Sequence, residues 1–332
     1  MRYAMVVLQY FKALLCLFIL ILPSYALSQG TWKPSKNVEI IIGAGAGGAA
    51  DTTGRLMQRI LQERKLVESP LVVVNKPGGG YSVAWTYMNS HAGDGHFIAP
   101  TALSLLTNAM TGGNPLTFSD VTPLAQLFTD YVVLAVRSDS KIADAKDFIA
   151  HMRRSPESIS VALAAARGNQ NHLAIGMALK AANIDPKLMK VVIFDSSANS
   201  MTALLGGHVD AVAATALNVL PHLKAGRVRV LAISSPRRLS GELAGIPTWK
   251  EQGVDAVFEN WRGVIGPRGM QANQISFWEE AFARLVETEE WKNSLEKNYF
   301  TDSFMRSRES VKFLEQEHSK IKALLVDLGL AK

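Results

Sequence analysis

The stretch from Val38 to Asp51 reads V-E-I-I-I-G-A-G-A-G-G-A-A-D. An apolar run (Val38, Ile40, Ile41, Ile42) with the look of a buried strand enters a loop with glycine at 43, 45, 47 and 48, and a helix-like run follows over 51–61. Glycines let backbone N–H groups approach a ligand closely, and a helix start offers unpaired donors and a partial positive charge. The segment therefore predicts an anion cradle. Its spacing Gly43-x-Gly45-x-x-Gly48 also satisfies the dinucleotide fingerprint, so the sequence must be asked which anion it serves.

Outward from this unit, short apolar runs alternate with helical ones along the chain, which predicts an α/β fold with mainly parallel sheets. Strands are expected at 38–42, 71–74, 97–99, 131–136, 159–163, 191–194, 211–214, 228–233 and 262–265. Helices are expected at about 51–64, 81–91, 102–110, 144–154, 171–183, 197–206, 217–225, 247–253, 274–288 and 309–328. Asp144 is placed to cap the helix carrying Phe148 and Ile149, and Ser197 or Asn199 the one carrying Leu204 and Leu205. Gly206 and Gly207 then end that helix. No repeat or low-complexity linker separates domains, as two lobes joined by crossing strands would require.

Upstream, residues 1–28 carry Arg2 and Lys12 and no acid, then ten uninterrupted apolar residues over 13–22, Pro23, and a small-residue site at Ala26-Leu27-Ser28. This is the pattern of a secretory signal peptide, and its apolar run falls short of the roughly 20 residues a bilayer span needs. A retained N-terminal anchor is the alternative, since Val6 to Leu8 extend the apolar character. The one cysteine, Cys16, lies inside that run, so the mature chain has no thiol for disulfides, thiolate catalysis or metal sites. Loss of Arg2 and Lys12 lowers the formal charge from +6 to +4. That mild excess, with no interleaved aromatic pattern, does not describe a nucleic-acid surface. The remaining chain of about 300 residues is long enough for two domains.

Other chemistries find little support in the residues. A nicotinamide enzyme calls for an acid at the end of the second strand, where this chain has Asn75-Lys76, although Lys76 could meet a 2′-phosphate. The pentapeptide G-x-S-x-G does not occur, and none of the seven histidines forms H-E-x-x-H. His91 and His96 bracket Ala92-Gly93-Asp94-Gly95, which reads as a turn before a strand.

Ordered motifs along the mature chain carry a resemblance. They are the glycine-rich loop ending in Asp51, Asn75-Lys76-Pro77-Gly78-Gly79-Gly80, Gly93-Asp94-Gly95, and Gly168-Asn169-Gln170-Asn171-His172-Leu173. Further on come Ala203-Leu204-Leu205-Gly206-Gly207-His208-Val209-Asp210, Ala225-Gly226-Arg227-Val228-Arg229-Val230-Leu231-Ala232, Pro247-Thr248 and Asn260-Trp261-Arg262-Gly263. In this order the chain resembles the extracytoplasmic solute receptors of tripartite tricarboxylate transporters, also known as the Bug receptors, from about Trp32 to its C-terminus.

The resemblance implies a two-lobed, type II-like periplasmic binding protein, each lobe a mainly parallel sheet flanked by helices, that closes on a small organic acid without chemistry or cofactor. It implies delivery to a two-component membrane permease, a monomeric state and no nucleic-acid partner. Lobe 1 is expected to comprise 30–128 plus 254–332, and lobe 2 residues 129–253. The site it implies takes Gly47, Gly48 and Asp51 with Thr101 and Ser104 from the first lobe. From the second it takes Arg167, Gly168, Asn169 and His172, then Asp195, Ser196 and Ser197, with Thr215 and Asn218. Asp51 has a competing role as a helix cap, and His172 as a residue bonding within its own loop.

The chain also departs from the family pattern. Gly43-Ala44-Gly45-Ala46 replaces an aromatic and a proline, and Phe194-Asp195-Ser196-Ser197 places an acid where a cation is usual, which would oppose an anion or recruit an amine or hydroxyl. Two cations pull the other way. Arg167 and Arg262 are each suited to clamp a second or third carboxylate of a di- or tricarboxylate, the alternative for each being an ion pair within the protein. An exported ligand sensor of the same fold is the alternative function, and a dinucleotide-binding oxidoreductase the third.

Overall fold

The computed structural model describes residues 32–47, 49–164 and 167–331, so the export signal predicted at 1–28 and the predicted site residue Gly48 lie outside them. The first strand, β1 (Val38–Ile42), has Val38, Ile40, Ile41 and Ile42 fully buried, as its β-branched run requires. It leads through the glycine-rich loop into α1 (Ala49–Glu63), which turns Met57, Ile60 and Leu61 to the core. Then follow β2 (Leu71–Asn75), α2 (Ser82–Asn89), β3 (Phe97–Ala102) and α3 (Ser104–Thr111). Strands β2, β1 and β3 lie side by side and parallel, with β1 in the middle.

A second unit of the same kind begins after the long strand β4 (Val121–Arg137). It comprises α4 (Ala145–Arg154), β5 (Ser160–Ala164), α5 (Gln170–Ala181), β6 (Lys190–Phe194), α6 (Ser197–Leu205), β7 (Ala211–Thr215), α7 (Ala216–Lys224) and β8 (Val228–Ile233). Here β6, β5 and β7 are parallel, with β5 in the middle. The chain ends with β9 (Glu259–Pro267), α8 (Ala272–Val286), α9 (Glu289–Asn298), β10 (Thr301–Arg306) and α10 (Ser307–Asp327).

The two parallel units are joined by antiparallel strands into one mixed sheet of order β2-β1-β3-β9-β4-β7-β5-β6. Strand β4 makes the join. Its residues up to Tyr131 pair with β9 and β10, and those from Val132 onward pair with β7 and β8. The lone acid Asp130 sits at that changeover, 2% exposed. The C-terminal helix α10 packs against β4, α3 and α5. Its Leu314, Ile321 and Leu325 share one core with Leu173, Ala174 and Ile175 of α5.

Several expectations are corrected. Strand β4 begins ten residues earlier than predicted, because Pro123 and the polar Thr122 mask a segment whose pairing shifts register near that proline. Strand β10, an exposed polar edge, was not foreseen. The helix expected at 247–253 is a closed turn, in which Thr248 N–H donates to a Glu251 carboxylate oxygen and Glu251 N–H to Thr248 Oγ1. Asp144 caps α4 as expected, while α6 is capped by Ser196, whose Oγ accepts from Asn199 N–H at 3.2 Å.

Candidate functional site

The glycine-rich loop is fastened from beneath by Asp51, which is 3% exposed. One carboxylate oxygen accepts from Gly47 N–H at 2.9 Å and from Arg55 Nε at 2.9 Å, and the other from Asn75 Nδ2 at 2.8 Å. Asn75 Nδ2 also donates to the Ala44 carbonyl, tying the end of β2 to the loop. Burial alone would raise the Asp51 pKa. The Arg55, Gly47 and Asn75 donors outweigh it and hold the carboxyl below its usual range. Asp51 is therefore a fastener: neither a cap reaching forward into its helix nor a carboxylate free to face a ligand. The Gly47 N–H is engaged with it, and the exposed backbone of the loop is that of Gly45, Ala46 and Gly47. Gly43 admits only glycine, since a Cβ there would lie 2.4 Å from the Tyr81 ring.

Thr101 and Ser104 sit at the end of β3 and the start of α3. Thr101 pairs across the ladder with Gly263 of β9. Both hydroxyls are buried and make no hydrogen bond among the described residues, the condition of groups that await a water or ligand atom.

In the second unit, the turn before α5 is self-contained. Asn169 caps the helix by accepting from His172 N–H at 3.0 Å, and its Nδ2 donates to the Ala164 carbonyl. Gly168 N–H donates to His172 Nδ1 at 3.0 Å. The left-handed φ of +77° at Gly168, with Thr111 Cγ2 only 2.8 Å from where a Cβ would stand, requires glycine. Accepting at Nδ1 makes His172 neutral, with its proton on Nε2. Burial and then the Arg167 charge push its pKa down to about 4. Arg167 itself is exposed and lines two adjoining cavities, one with His172 and Lys187, the other with Gly168, Asn108 and Thr111.

Because the folded His172 has the lower pKa, its neutral form favours folding above about 6.5, and this contribution falls as pH drops toward about 4. The full shift corresponds to on the order of 3 kcal/mol. Wild-type protein is expected to lose stability to urea between pH 7 and 4.5 more steeply than His172→Gln. Parallel curves for the two proteins would refute the assignment.

Asp195 is exposed, Ser196 caps α6, and Ser197 is half-buried. Thr215, at the N-terminus of α7, accepts from Asn218 Nδ2 at 3.0 Å. These residues stand at the C-terminal ends of the parallel strands β6 and β7, as Arg167, Gly168, Asn169 and His172 follow β5. Open α/β sheets bind ligands at such strand ends.

Arg262 lies on β9 opposite β4, where its Nη2 donates to Asp130 at 3.2 Å. Asn260 Nδ2 donates to the other Asp130 oxygen. Tyr81 faces the same pair. Sequence reasoning missed Tyr81, Asn260 and Asp130, although one acid inside the apolar run L-A-Q-L-F-T-D-Y-V-V-L signals a buried charge in need of a partner. Among the described residues no group of histidine, cysteine or acidic side chains is placed to hold a metal ion.

Two parallel-stranded lobes bridged by antiparallel strands, with a glycine-rich loop at a helix start and polar loops at strand ends, define a periplasmic solute-binding protein. The chain belongs to the tripartite tricarboxylate transporter family of receptors, whose family description, "Tripartite tricarboxylate transporter family receptor", matches residues 56–330. A Cupriavidus necator protein described as "UPF0065 protein in gbd 5′ region" is 27% identical over 310 residues, covering 92% of each chain. The crystal structure of a ligand-free TctC solute binding protein from Polaromonas is 25% identical and aligns with TM-score 0.65 over 88% of this chain and 98% of the other. An R. palustris protein solved with adipate shares the fold, with TM-score 0.81 at 21% identity over 90% and 99% of the two chains.

Proposed function

We propose that this receptor captures a small organic acid, a di- or tricarboxylate, between lobe 1 (30–128 plus 254–332) and lobe 2 (129–253), and delivers it to a tripartite tricarboxylate-type permease. The observation that carries the proposal is the loop from Gly43 to Gly47, pinned by Asp51 so that exposed backbone precedes the N-terminus of α1. A 15-residue helix behind such a loop supplies roughly 0.3–1 kcal/mol to a bound carboxylate, up to about 2 when partly buried. The adipate in the R. palustris protein of the same fold supports the ligand class. Residues 167–172, 195–197 and 215–218 furnish the opposing wall, and Arg167, exposed and without an ion-pair partner among the described residues, is the cation for a second carboxylate. Closure follows from the ligand's greater affinity for the state in which both walls touch it.

Thermal unfolding of residues 29–332 against mono-, di- and tricarboxylates, amino acids and nicotinamide cofactors tests this. Ligand at about 100 times its Kd adds roughly 2.7 kcal/mol, several degrees in Tm. A selective rise with di- or tricarboxylates is expected. A rise confined to a nicotinamide cofactor would overturn the proposal in favour of a dinucleotide protein.

A further inference from the structure

A cavity beneath the start of α1 plays no part in the contacts described for the recognition loops. Its enclosed volume is small, about 30 Å³. The half-buried Ala50 and Thr53, in the first two turns of α1, line it together with the half-buried Tyr81, the ring that packs against Gly43. The lining is thus continuous with the glycine-rich loop. The walls are apolar: Met57, Leu127, Phe128 and Phe300.

Its polar side chains are Thr53, Tyr81, Thr101, Asp130 and Arg262. The guanidinium and carboxylate are bonded to each other, so together they carry no net charge. The Thr101 hydroxyl, on a residue 4% exposed, has no partner among the described residues. A carboxylate entering here would add an unbalanced negative charge to an already neutral, desolvated pair, which is strongly unfavourable. An alkyl group would instead meet aromatic and aliphatic walls, and a hydroxyl would meet Thr101.

Resting on the receptor reading above, we infer that this cavity is a subsite for an uncharged arm of the bound acid, an alkyl or hydroxyalkyl branch, while the carboxylates stay outside it in the cleft. Specificity then lies in the neutral part of the ligand, and Arg262 keeps the site neutral by holding Asp130.

The test is calorimetric titration of residues 29–332 with succinate, methylsuccinate, 2-ethylsuccinate and tricarballylate, which differ only in one arm: hydrogen, methyl, ethyl or carboxymethyl. Affinity is expected to rise about fourfold per added carbon, with tricarballylate at least tenfold weaker than 2-ethylsuccinate. In Thr53→Leu, which narrows the mouth, the ratio of 2-ethylsuccinate to succinate affinity should collapse toward one. A melting curve like the wild type's confirms that the variant is folded. Equal affinity for carboxymethyl and ethyl arms, or a ratio unchanged in Thr53→Leu, overturns the inference and leaves the receptor reading standing. Binding of none of the four by the wild-type protein overturns the inference, and a flat carboxylate panel besides overturns the receptor reading.

Discussion

Replacing Arg262 with alanine is expected to lower stability by about 3–5 kcal/mol, as loss of one partner from a buried ion pair does. The reason is what remains. Asp130 is 2% exposed at the changeover of β4, and without the guanidinium it keeps only Asn260 as a hydrogen-bonding partner among the described residues. Burial already raises the Asp130 pKa; the charge and hydrogen bond of Arg262 and the Asn260 amide pull it back only in part. A carboxyl whose folded pKa is raised binds its proton more readily in the native state, so the stability it lends is full below about 3.8 and is lost as pH rises through the folded value. Once ionised, the carboxylate therefore opposes folding, and the pair stands as a matched unit rather than as a source of stability. The double variant Asp130→Asn/Arg262→Met is accordingly expected to recover half or more of the loss, a coupling that urea denaturation of the four proteins of the cycle measures. If the double variant were as unstable as the sum of the single ones, the two side chains would not be coupled.

Asp51→Ala is the second large effect, with an expected loss of about 2–4 kcal/mol, since two neutral donors and one charged donor lose a shared buried acceptor. Carboxylate affinity should fall at least tenfold with it, because the loop from Gly43 to Gly47 loses the bond that fixes its final amide. Asp51→Asn, which retains an acceptor oxygen, should fall between. The pH dependence runs opposite to that of Asp130. The folded Asp51 pKa is lowered, so its contribution is complete above about 3.8 and disappears as pH falls through the folded value. An Asp51→Ala protein that melted within a degree of the wild type and bound its acid equally well would show the loop to be held by other means.

The parallel units were readable in the sequence because each of their strands is a short β-branched or apolar run bounded by glycine or polar residues, as in Val38–Ile42 and Ala211–Thr215. Strands β4 and β10 escaped in part because Pro123 interrupts one and polar residues fill the other. Among the site residues, the Asn169 cap and the bond between His172 and Gly168 follow from local spacing. The fastening of Asp51 to Asn75, and of Asp130 to Arg262 across 132 positions, follows from the folded sheet and has no periodic trace in the chain. Cation identity offered Arg262 either as a ligand clamp or as half of an ion pair within the protein, and the second is what the fold shows. Its actual partner is visible only once β4 and β9 lie side by side.

The sharing of β4 also governs how the chain reaches its native state. The ladder between β4 and β9 joins residues no closer in sequence than Tyr131 and Glu259, and β10 closes on the same strand later still. Relative to a ten-residue loop, a closure of that length costs roughly 2 kcal/mol more in chain entropy. Pairings so distant slow folding toward the seconds range. The β2-β1-β3 sheet lacks its neighbour β9 until most of the polypeptide is available, so its pairing is completed late. A chain whose pairing is completed this late stays threadable for longer, which suits a protein bound for the periplasm.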